Sequence, residues 1–360
     1  MSKKAIIAMS GGVDSSVAAL LIKESGDDCI GATMKLYNNE DIGKKKENTC
    51  CSLDDIEDAR SVAYKIGMPY YVFNFTDRFR EEVMDRFADS YMHGWTQNPC
   101  IDCNRYLKFD KLFHRMKEIE RDYIVTGHYA RVEYDEDRQR YLLKKAVDSN
   151  KDQSYVLYTL TQEQLAHVKF PLGGLTKDQV REIAEKHGFV NARKHDSQDI
   201  CFVPDGDYAK FIEEHTGKKS VPGEFVDAEG NYIGQHEGIT HYTVGQRRGL
   251  GIPAASRLYV CKISPELNQV VLGKNEDLFS RELTAGEVNL ISFDAIKEPI
   301  RCSAKIRYRH KEQPAVAWQT EDGKLHVKFD EPQRAITKGQ AVVLYDGEEV
   351  LGGGVIEETE

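Results

Sequence analysis

Cysteine is scarce in this chain, eight among 360 residues, far below the density of a disulfide-stapled scaffold. Long apolar runs are missing as well. Nothing approaches the roughly 18 uninterrupted apolar residues of a membrane helix, so no membrane association is expected. The opening stretch, Met1-Ser2-Lys3-Lys4-Ala5-Ile6-Ile7-Ala8-Met9, sets a basic flank before an apolar run. That run is too short for a secretory signal, and it meets glycines where a cleavage site should stand. A cytoplasmic protein is expected. In that reducing compartment, cysteines at suggestive spacing serve chemistry or metals more readily than structural bridges. Internal repeats and low-complexity tracts are absent from the sequence. Positive charge is in deficit: 49 Lys and Arg face 59 Asp and Glu, a net −10. Such a balance argues against indiscriminate nucleic-acid binding, which needs a basic footprint, but leaves room for a local basic stripe.

What is present is a globular composition. Hydrophobic residues at 40% and charged residues at 30% exclude a disordered chain, and the length suits two to three domains of roughly 100–200 residues. The first third alternates strand and helix patterns. Strands are expected over 5–9, 29–34, 70–75 and 123–126, with amphipathic helices over 54–66, 78–91 and 107–119. This alternation predicts an α/β fold with a parallel sheet, whose ligands sit beyond the carboxyl ends of the strands. Two alternating segments around Asp135-Glu136-Asp137 predict a hairpin, and helix patterns follow over 162–168, 177–187 and 208–215. Short strand-like runs punctuated by Gly and Pro fill 221–272, and the last 80 or so residues read as all strand, which suggests a small barrel. Three domains are expected: a nucleotide-binding domain over 1–205, a small central domain over 206–280 and a C-terminal β-barrel over 281–360.

Ser10-Gly11-Gly12-Val13-Asp14-Ser15-Ser16 lies between the first strand and the first helix. Two glycines let the backbone approach a ligand closely, and the helix behind offers unpaired N–H groups and a positive dipole end. The arrangement is a phosphate cradle without the Gly-Lys-Ser/Thr of a Walker loop. The bland alternative is a glycine turn that merely starts a helix. Asn98-Pro99-Cys100-Ile101-Asp102-Cys103-Asn104 places a Cys-x-x-Cys in an expected loop just before a helix, where thiolate is favoured. The bland readings are chance spacing or half of a zinc site, and against zinc no second Cys-x-x-Cys exists and Cys50-Cys51 is a poor chelating pair. Cys201 stands at the edge of a short apolar run, while Cys29, Cys261 and Cys302 fall in strand patterns and read as packing residues. Lys44-Lys45-Lys46 reads as solvated surface.

Taken together, these segments resemble the tRNA-specific 2-thiouridylase family, bacterial enzymes that put sulfur on the wobble uridine of certain tRNAs. The resemblance runs nearly end to end. It includes the glycine loop, Gly31 to Lys35, Asn98 to Lys108, Thr126 to Tyr129, Asp148 to Tyr155, Ser197 to Phe202, Thr243 to Gly251, Lys305 to Arg309 and Leu351 to Gly354. The glycine loop alone identifies only the pyrophosphatase-loop superfamily of adenylating enzymes; the Lys151-Asp152-Gln153-Ser154-Tyr155 and Ile200-Cys201-Phe202 runs are more specific. The resemblance implies ATP as co-substrate with Mg²⁺, and nucleotide binding by Ala8, Met9, Ser10, Gly11, Gly12, Val13, Asp14, Ser15, Met34 and Gly127. It implies that Cys201 carries an incoming persulfide, supplied by a sulfur carrier or a cysteine desulfurase. Cys103 is then the partner thiol, and a transient Cys103–Cys201 disulfide releases the sulfur. It further implies tRNA contacts at Asn98, Pro99, Cys100, His128, Lys151, Asp152, Gln153, Arg307, Tyr308 and Gln340. His128 could equally be a packed histidine near the nucleotide.

One departure stands out. The family pattern has Asp at the position of Cys100, so any acid or base-positioning role of that carboxylate is lost here. The extra thiol raises the prospect that Cys100, Cys103 and Cys201 hold three irons of a [4Fe–4S] cluster. A basic row is also expected: Arg301, Lys305, Arg307, Arg309 and Lys311 share odd parity, opposite Cys302, Ala304, Ile306 and Tyr308, and residues 295–311 carry six positive charges and one negative. Two other functions fit parts of the pattern. An adenylating ligase or amidotransferase would use the glycine loop but not Cys103 and Cys201. A non-catalytic RNA-binding or redox-sensing protein would use the cysteines as a metal or disulfide switch.

Overall fold

Short apolar strands bounded by polar turns set the architecture of the amino-terminal part. In the computed structural model, which describes residues 2–38, 53–194, 200–254 and 256–360, the chain forms two compact units. The first comprises Met1–Val83, Cys100–Pro204 and Glu348–Leu351; the second comprises Met84–Pro99, Asp205–Gly347 and Gly352–Glu360. Lys44-Lys45-Lys46, Cys50-Cys51 and Ser197 to Asp199 lie outside the described residues.

The first unit is built on β1 (Lys4–Ala8), β2 (Asp28–Lys35), β3 (Tyr70–Asn74) and β4 (Tyr123–Val125). A hairpin of β5 (Ala130–Asp135) and β6 (Arg140–Lys145) follows, then the short β7 (Val168–Lys169). The sheet order is β3-β2-β1-β4-β7 and every pairing in it is parallel. Ala5, Ile6 and Ile7 are wholly buried because a parallel sheet is covered on both faces. Helix α1 (Val13–Glu24) packs Val17, Ala18 and Leu20 into one core with Ala59, Val62 and Ala63 of α2 (Leu53–Lys65). Val180 and Ala184 of the helix Lys177–Lys186 complete that core. Strand order reverses between β1 and β4, which places a crevice at the carboxyl end of β1.

The Cys-x-x-Cys segment departs from the expected loop. Pro99–Asp102 is already helical, Cys103–Lys111 continues as a π-helix, and Leu112–Glu118 is α-helical. Proline tolerates a first helical position because the N–H it lacks has no intrahelical partner there. The helix therefore starts at Pro99, and both cysteines lie within its opening turns.

In the second unit, β8 (Gly223–Val226), β9 (Tyr232–His236), β10 (Tyr259–Ser264) and β11 (Gln269–Gly273) form a sheet in the order β10-β11-β8-β9. Its core is Phe225, Tyr242, Leu250, Val260, Val270 and Leu272. Six further strands follow: β12 (Phe279–Leu290), β13 (Ile300–Lys305), β14 (Gln313–Gln319), β15 (Leu325–Arg334), β16 (Ala341–Asp346) and β17 (Glu349–Thr359). They run β12-β15-β14-β13-β16-β17, and β17 pairs back onto β12, closing a six-stranded barrel. The glycines of Leu351-Gly352-Gly353-Gly354 make that closure possible. A Cβ on Gly352 would meet the Asn289 carbonyl oxygen at 2.4 Å, and one on Gly354 would meet that of Gly286 at 2.7 Å. The fold is thus an α/β parallel-sheet unit followed by a small central sheet and a closed C-terminal barrel, the architecture expected from the sequence.

Candidate active site

The crevice at the end of β1 is walled by the glycine turn. Gly12 caps α1 with extended backbone and offers no side-chain cap, so the first-turn amides are left to a ligand or solvent. Gly11 adopts φ +77°, and a Cβ there would strike the Asp55 backbone oxygen at 2.4 Å. Across the turn, a Cβ on Gly127 would lie 2.7 Å from the Ser15 nitrogen. The chain just after β4 thus touches the start of α1, and no side chain can stand between. Hydroxyls brace the turn. Ser15 Oγ accepts from the Ser10 amide at 3.1 Å and donates to the Gly12 carbonyl at 3.0 Å. Ser16 Oγ also donates to the Gly12 carbonyl at 3.0 Å, and Asn191 Nδ2 reaches the Gly11 carbonyl at 2.8 Å. Ser10 itself is exposed, and Met34, at the end of β2, is half-buried. The Met9 carbonyl accepts from Thr33 Oγ1 at 2.6 Å, which fixes β1 against β2.

Asp14, in the first turn of α1, is held from two sides. Tyr129 donates its hydroxyl at 2.7 Å, and Lys177 Nζ lies 2.7 and 2.8 Å from the two carboxylate oxygens. Lys177 is buried and Asp14 keeps about a third of its side chain exposed, 7% against 31%. The carboxylate is thus held in place while one side faces solvent. Sequence reasoning missed Lys177, Tyr129 and Asn191 as parts of this site. Each carries an ordinary signal in the sequence, a helix start, a strand-flanking aromatic and a turn amide, and only the folded chain unites them with the loop.

The thiols differ in setting. Cys103 is half-buried, and burial pushes its thiol above the usual range, with Asp102 adding to the rise and Lys108 opposing it. Removal from water thus opposes the thiolate that a helix start favours. Cys100 is exposed in the first turn of the same helix. Cys201 is half-buried; Tyr37 donates to its carbonyl at 3.1 Å, and the adjoining Phe202 packs edge-on against Phe79 at 5.7 Å. Burial raises Cys261 to about 11 and Cys302 to about 12, which suits packing residues. Among the described residues no group of three or more His, Cys, Asp or Glu side chains comes together to hold a metal ion. Cys100, Cys103 and Cys201 are therefore not gathered into a ligand set, and the [4Fe–4S] expectation is not supported.

Several residues expected at the RNA side are occupied within the fold. His128 is buried, its Nδ1 2.7 Å from Thr126 Oγ1 and its ring beside Phe109 and Phe170. Burial depresses its pKa well below the ordinary histidine value, with Lys108 adding to the fall. Gln153 Oε1 accepts from the Tyr129 amide at 3.0 Å, and Asp152 accepts from the amides of Ala146 and Ser154. The Lys151 amide donates to the Asp148 carbonyl at 3.0 Å. In the second unit, Gln340 Nε2 donates to the Thr96 carbonyl at 2.7 Å and Thr96 donates to the Lys338 carbonyl. This clamps the stretch that leads into Asn98 and Pro99. Arg307 Nη2 donates to the carbonyls of Val244 and Ala335, each at 3.1 Å, and to Thr337 Oγ1. Tyr308 is half-buried, with Lys305 Nζ 5.6 Å from its ring centroid. Arg301 pairs with Asp330, while Arg309 and Lys311 are exposed.

The first unit also contains a cavity of about 1150 Å³ against Lys3, Arg121, Tyr123 and Lys169. It lies at the amino ends of β1 and β4, the opposite end from the glycine turn. Its cations are engaged: Arg121 with Asp28 at 2.8 Å, Lys117 with Glu163 at 2.6 Å and Arg131 with Glu348 at 2.9 Å. Volume alone does not place chemistry there.

A parallel sheet whose order reverses beside an uncapped glycine turn defines an α/β protein with a phosphate-binding type of crevice. Residues 3–205 match the family model described as the tRNA methyl transferase HUP domain. Residues 209–274 match the tRNA methyl transferase PRC-barrel domain, and 280–356 the aminomethyltransferase beta-barrel domain. The tRNA-specific 2-thiouridylase MnmA of Clostridioides difficile is 53% identical over 359 residues, covering 100% of this chain and 99% of that protein. That of Acetivibrio thermocellus is 54% identical over 356 residues, covering 99% of each. MnmA 1 of a Thermoanaerobacter species is 54% identical over 357 residues, covering 99% and 98%. The chain belongs to the tRNA-specific 2-thiouridylase family of tRNA sulfurtransferases. Among the described residues no helix is long and apolar enough to cross a membrane.

Proposed function

We propose that this chain thiolates C2 of the wobble uridine of tRNA, using ATP to activate the base and a cysteine persulfide to deliver sulfur. The observation that carries the reading is the uncapped glycine turn at the strand-order reversal, with Asp14 aimed in its first turn and Cys103 and Cys201 in the same compact unit. The uracil C2 oxygen is a poor leaving group. Its attack on the α-phosphorus of ATP expels pyrophosphate and makes it a good one. The terminal sulfur of a persulfide on Cys201 then adds to C2. Cys103 thiolate attacks Cys201 Sγ, the S–S bond breaks, its electron pair stays with the sulfur on C2, and AMP departs to leave C2=S. A Cys103–Cys201 disulfide remains.

Ala8 to Ser15, Met34 and Gly127 are the nucleotide-binding positions in this reading. Mg²⁺ would neutralise phosphate charge during adenylation. Asp14, a half-exposed carboxylate next to hydroxyls, is the kind of hard oxygen donor that suits Mg²⁺, which keeps waters and substrate phosphates as its other ligands. Asn98, Pro99, Cys100, His128, Lys151, Asp152, Gln153, Arg307, Tyr308 and Gln340 form the RNA side. Arg307, His128, Asp152 and Gln153 act there by shaping backbone, since each is already engaged in hydrogen bonding within the fold. A persulfide-donating carrier or cysteine desulfurase supplies the sulfur. The three domains divide near residues 205 and 280.

The test is nucleoside mass spectrometry of tRNA incubated with the protein, ATP, Mg²⁺ and a persulfide source. 2-Thiouridine should appear with tRNA-dependent pyrophosphate release, and Cys103→Ser and Cys201→Ser should each abolish it. Pyrophosphate release that needs neither tRNA nor these thiols would instead mark a ligase.

A further inference from the structure

Cys100, placed above on the RNA side, makes or breaks no bond in that reaction, yet it sits one helical turn from Cys103. Both lie in the opening turns of the helix that begins at Pro99, in the same compact unit as Cys201. Positions three apart on a helix share a face, and helical rise and radius put their Cα atoms about 5 Å apart. That separation falls inside the 4.4–6.8 Å window that a disulfide requires. The two thiols also differ as exchange partners: Cys100 is exposed and Cys103 half-buried. An exposed thiol reaches its thiolate more readily than a buried one, and the thiolate is the attacking species. A Cys-x-x-Cys beside a parallel βαβ sheet is, moreover, the pattern of dithiol exchange.

We propose that Cys100 is the resolving thiol of the sulfur-transfer cycle. The inference rests on the thiolation reading. Each transfer ends with a Cys103–Cys201 disulfide, and Cys201 cannot accept another persulfide until that bond is broken. Cys100 thiolate attacks Cys103 Sγ. The Cys103–Cys201 bond breaks, its electron pair leaves on Cys201 Sγ, and a Cys100–Cys103 disulfide forms. No net oxidation occurs in this step. Cys201 is returned as a thiolate ready for reloading, and the oxidising equivalent moves to a pair at the helix start whose Cys100 member is exposed. An external dithiol reduces that pair to complete the cycle. The half-buried Cys201 sulfur thereby never has to meet the reductant directly.

The experiment maps bridges after one turnover. Full-length protein loaded with one persulfide per chain is mixed with tRNA, ATP and Mg²⁺ without reductant, quenched with N-ethylmaleimide, and digested for peptide mass spectrometry. Bridges are counted per 2-thiouridine formed. The wild type should show Cys100–Cys103 bridged and Cys201 alkylated; Cys100→Ser should show Cys103–Cys201. With dithiothreitol as the dithiol at limiting concentration, the ratio of multiple-turnover to single-turnover yield should fall about tenfold in Cys100→Ser and recover as dithiothreitol is raised. In Cys201→Ser, the thiol oxidant diamide should close Cys100–Cys103 directly. Wild-type protein that forms 2-thiouridine yet keeps Cys103–Cys201 bridged overturns the proposal, and so does failure of that closure. Absence of 2-thiouridine from the wild type overturns the thiolation reading and this inference with it.

Discussion

Asp14 carries the negative charge beside the glycine turn, and Lys177 holds it in place. Lys177 is buried and makes two short contacts to one carboxylate, so removing it leaves a negative charge half out of water with only the Tyr129 hydroxyl as neighbour. We expect Lys177→Met to cost about 2 kcal/mol in urea unfolding, below the full cost of orphaning a wholly buried charge because Asp14 is partly solvated. ATP affinity should fall in the same variant, read by calorimetric titration. Gly127→Ala tests close approach instead of charge. Its Cβ would press on the first-turn backbone of α1, so nucleotide binding should weaken while the far-ultraviolet circular dichroism stays unchanged. His128 gives a pH signature. Its folded-state pKa is depressed by burial, so the unfolded chain binds the proton first as pH falls below about 6.5. Stability conferred by neutral His128 is complete above that pH and declines below it. Urea midpoints between pH 7.5 and 5.5 should drop less steeply in His128→Gln; equal slopes would remove His128 as the cause.

At the scale of elements, β13 and the turn after it divide two duties. Arg307 is spent on Val244, Ala335 and Thr337, while Arg309 is exposed. Arg307→Ala should therefore lower Tm, whereas Arg309→Ala should leave Tm alone and reduce the salt slope of tRNA binding by about one. A salt slope unchanged in Arg309→Ala would take that residue off the phosphate path. This division could not be read from parity. Alternation does describe Cys302, Ala304 and Ile306, all buried, but β13 ends at Lys305, and beyond it tertiary acceptors decide where a guanidinium goes. The same limit separates what was legible elsewhere. β1, α1 and the glycine turn stand out because period, punctuation and hydroxyl placement are local properties of the sequence. The start of the helix at Pro99 was hidden by Asn-Pro, which reads as a turn. β17 was hidden by three glycines that break a strand pattern and make sense only against β12. Lys177 and Asn191 were hidden because nothing near them in sequence marks the residues they meet, Asp14 and Gly11.

For the molecule as a whole, β17 is a strand that belongs to both units. Glu349 and Val350 pair with Lys144 and Leu143 of β6, and residues from Gly352 to Thr359 pair with β12. A chain ending at Gly347 should therefore lose protection in two places at once. Hydrogen exchange is expected to accelerate at Leu142 to Lys145 as well as through β12; a loss confined to the barrel would show that β6 holds without its partner.

That last strand has a consequence for biosynthesis. The ribosome delivers it after every strand it pairs with in the hairpin and at β12, so neither the hairpin of β5 and β6 nor the barrel gains this neighbour until β17 has emerged. A prematurely terminated product would present an unsatisfied sheet edge in both places, which offers degradation machinery a ready means of telling an unfinished molecule from a finished one.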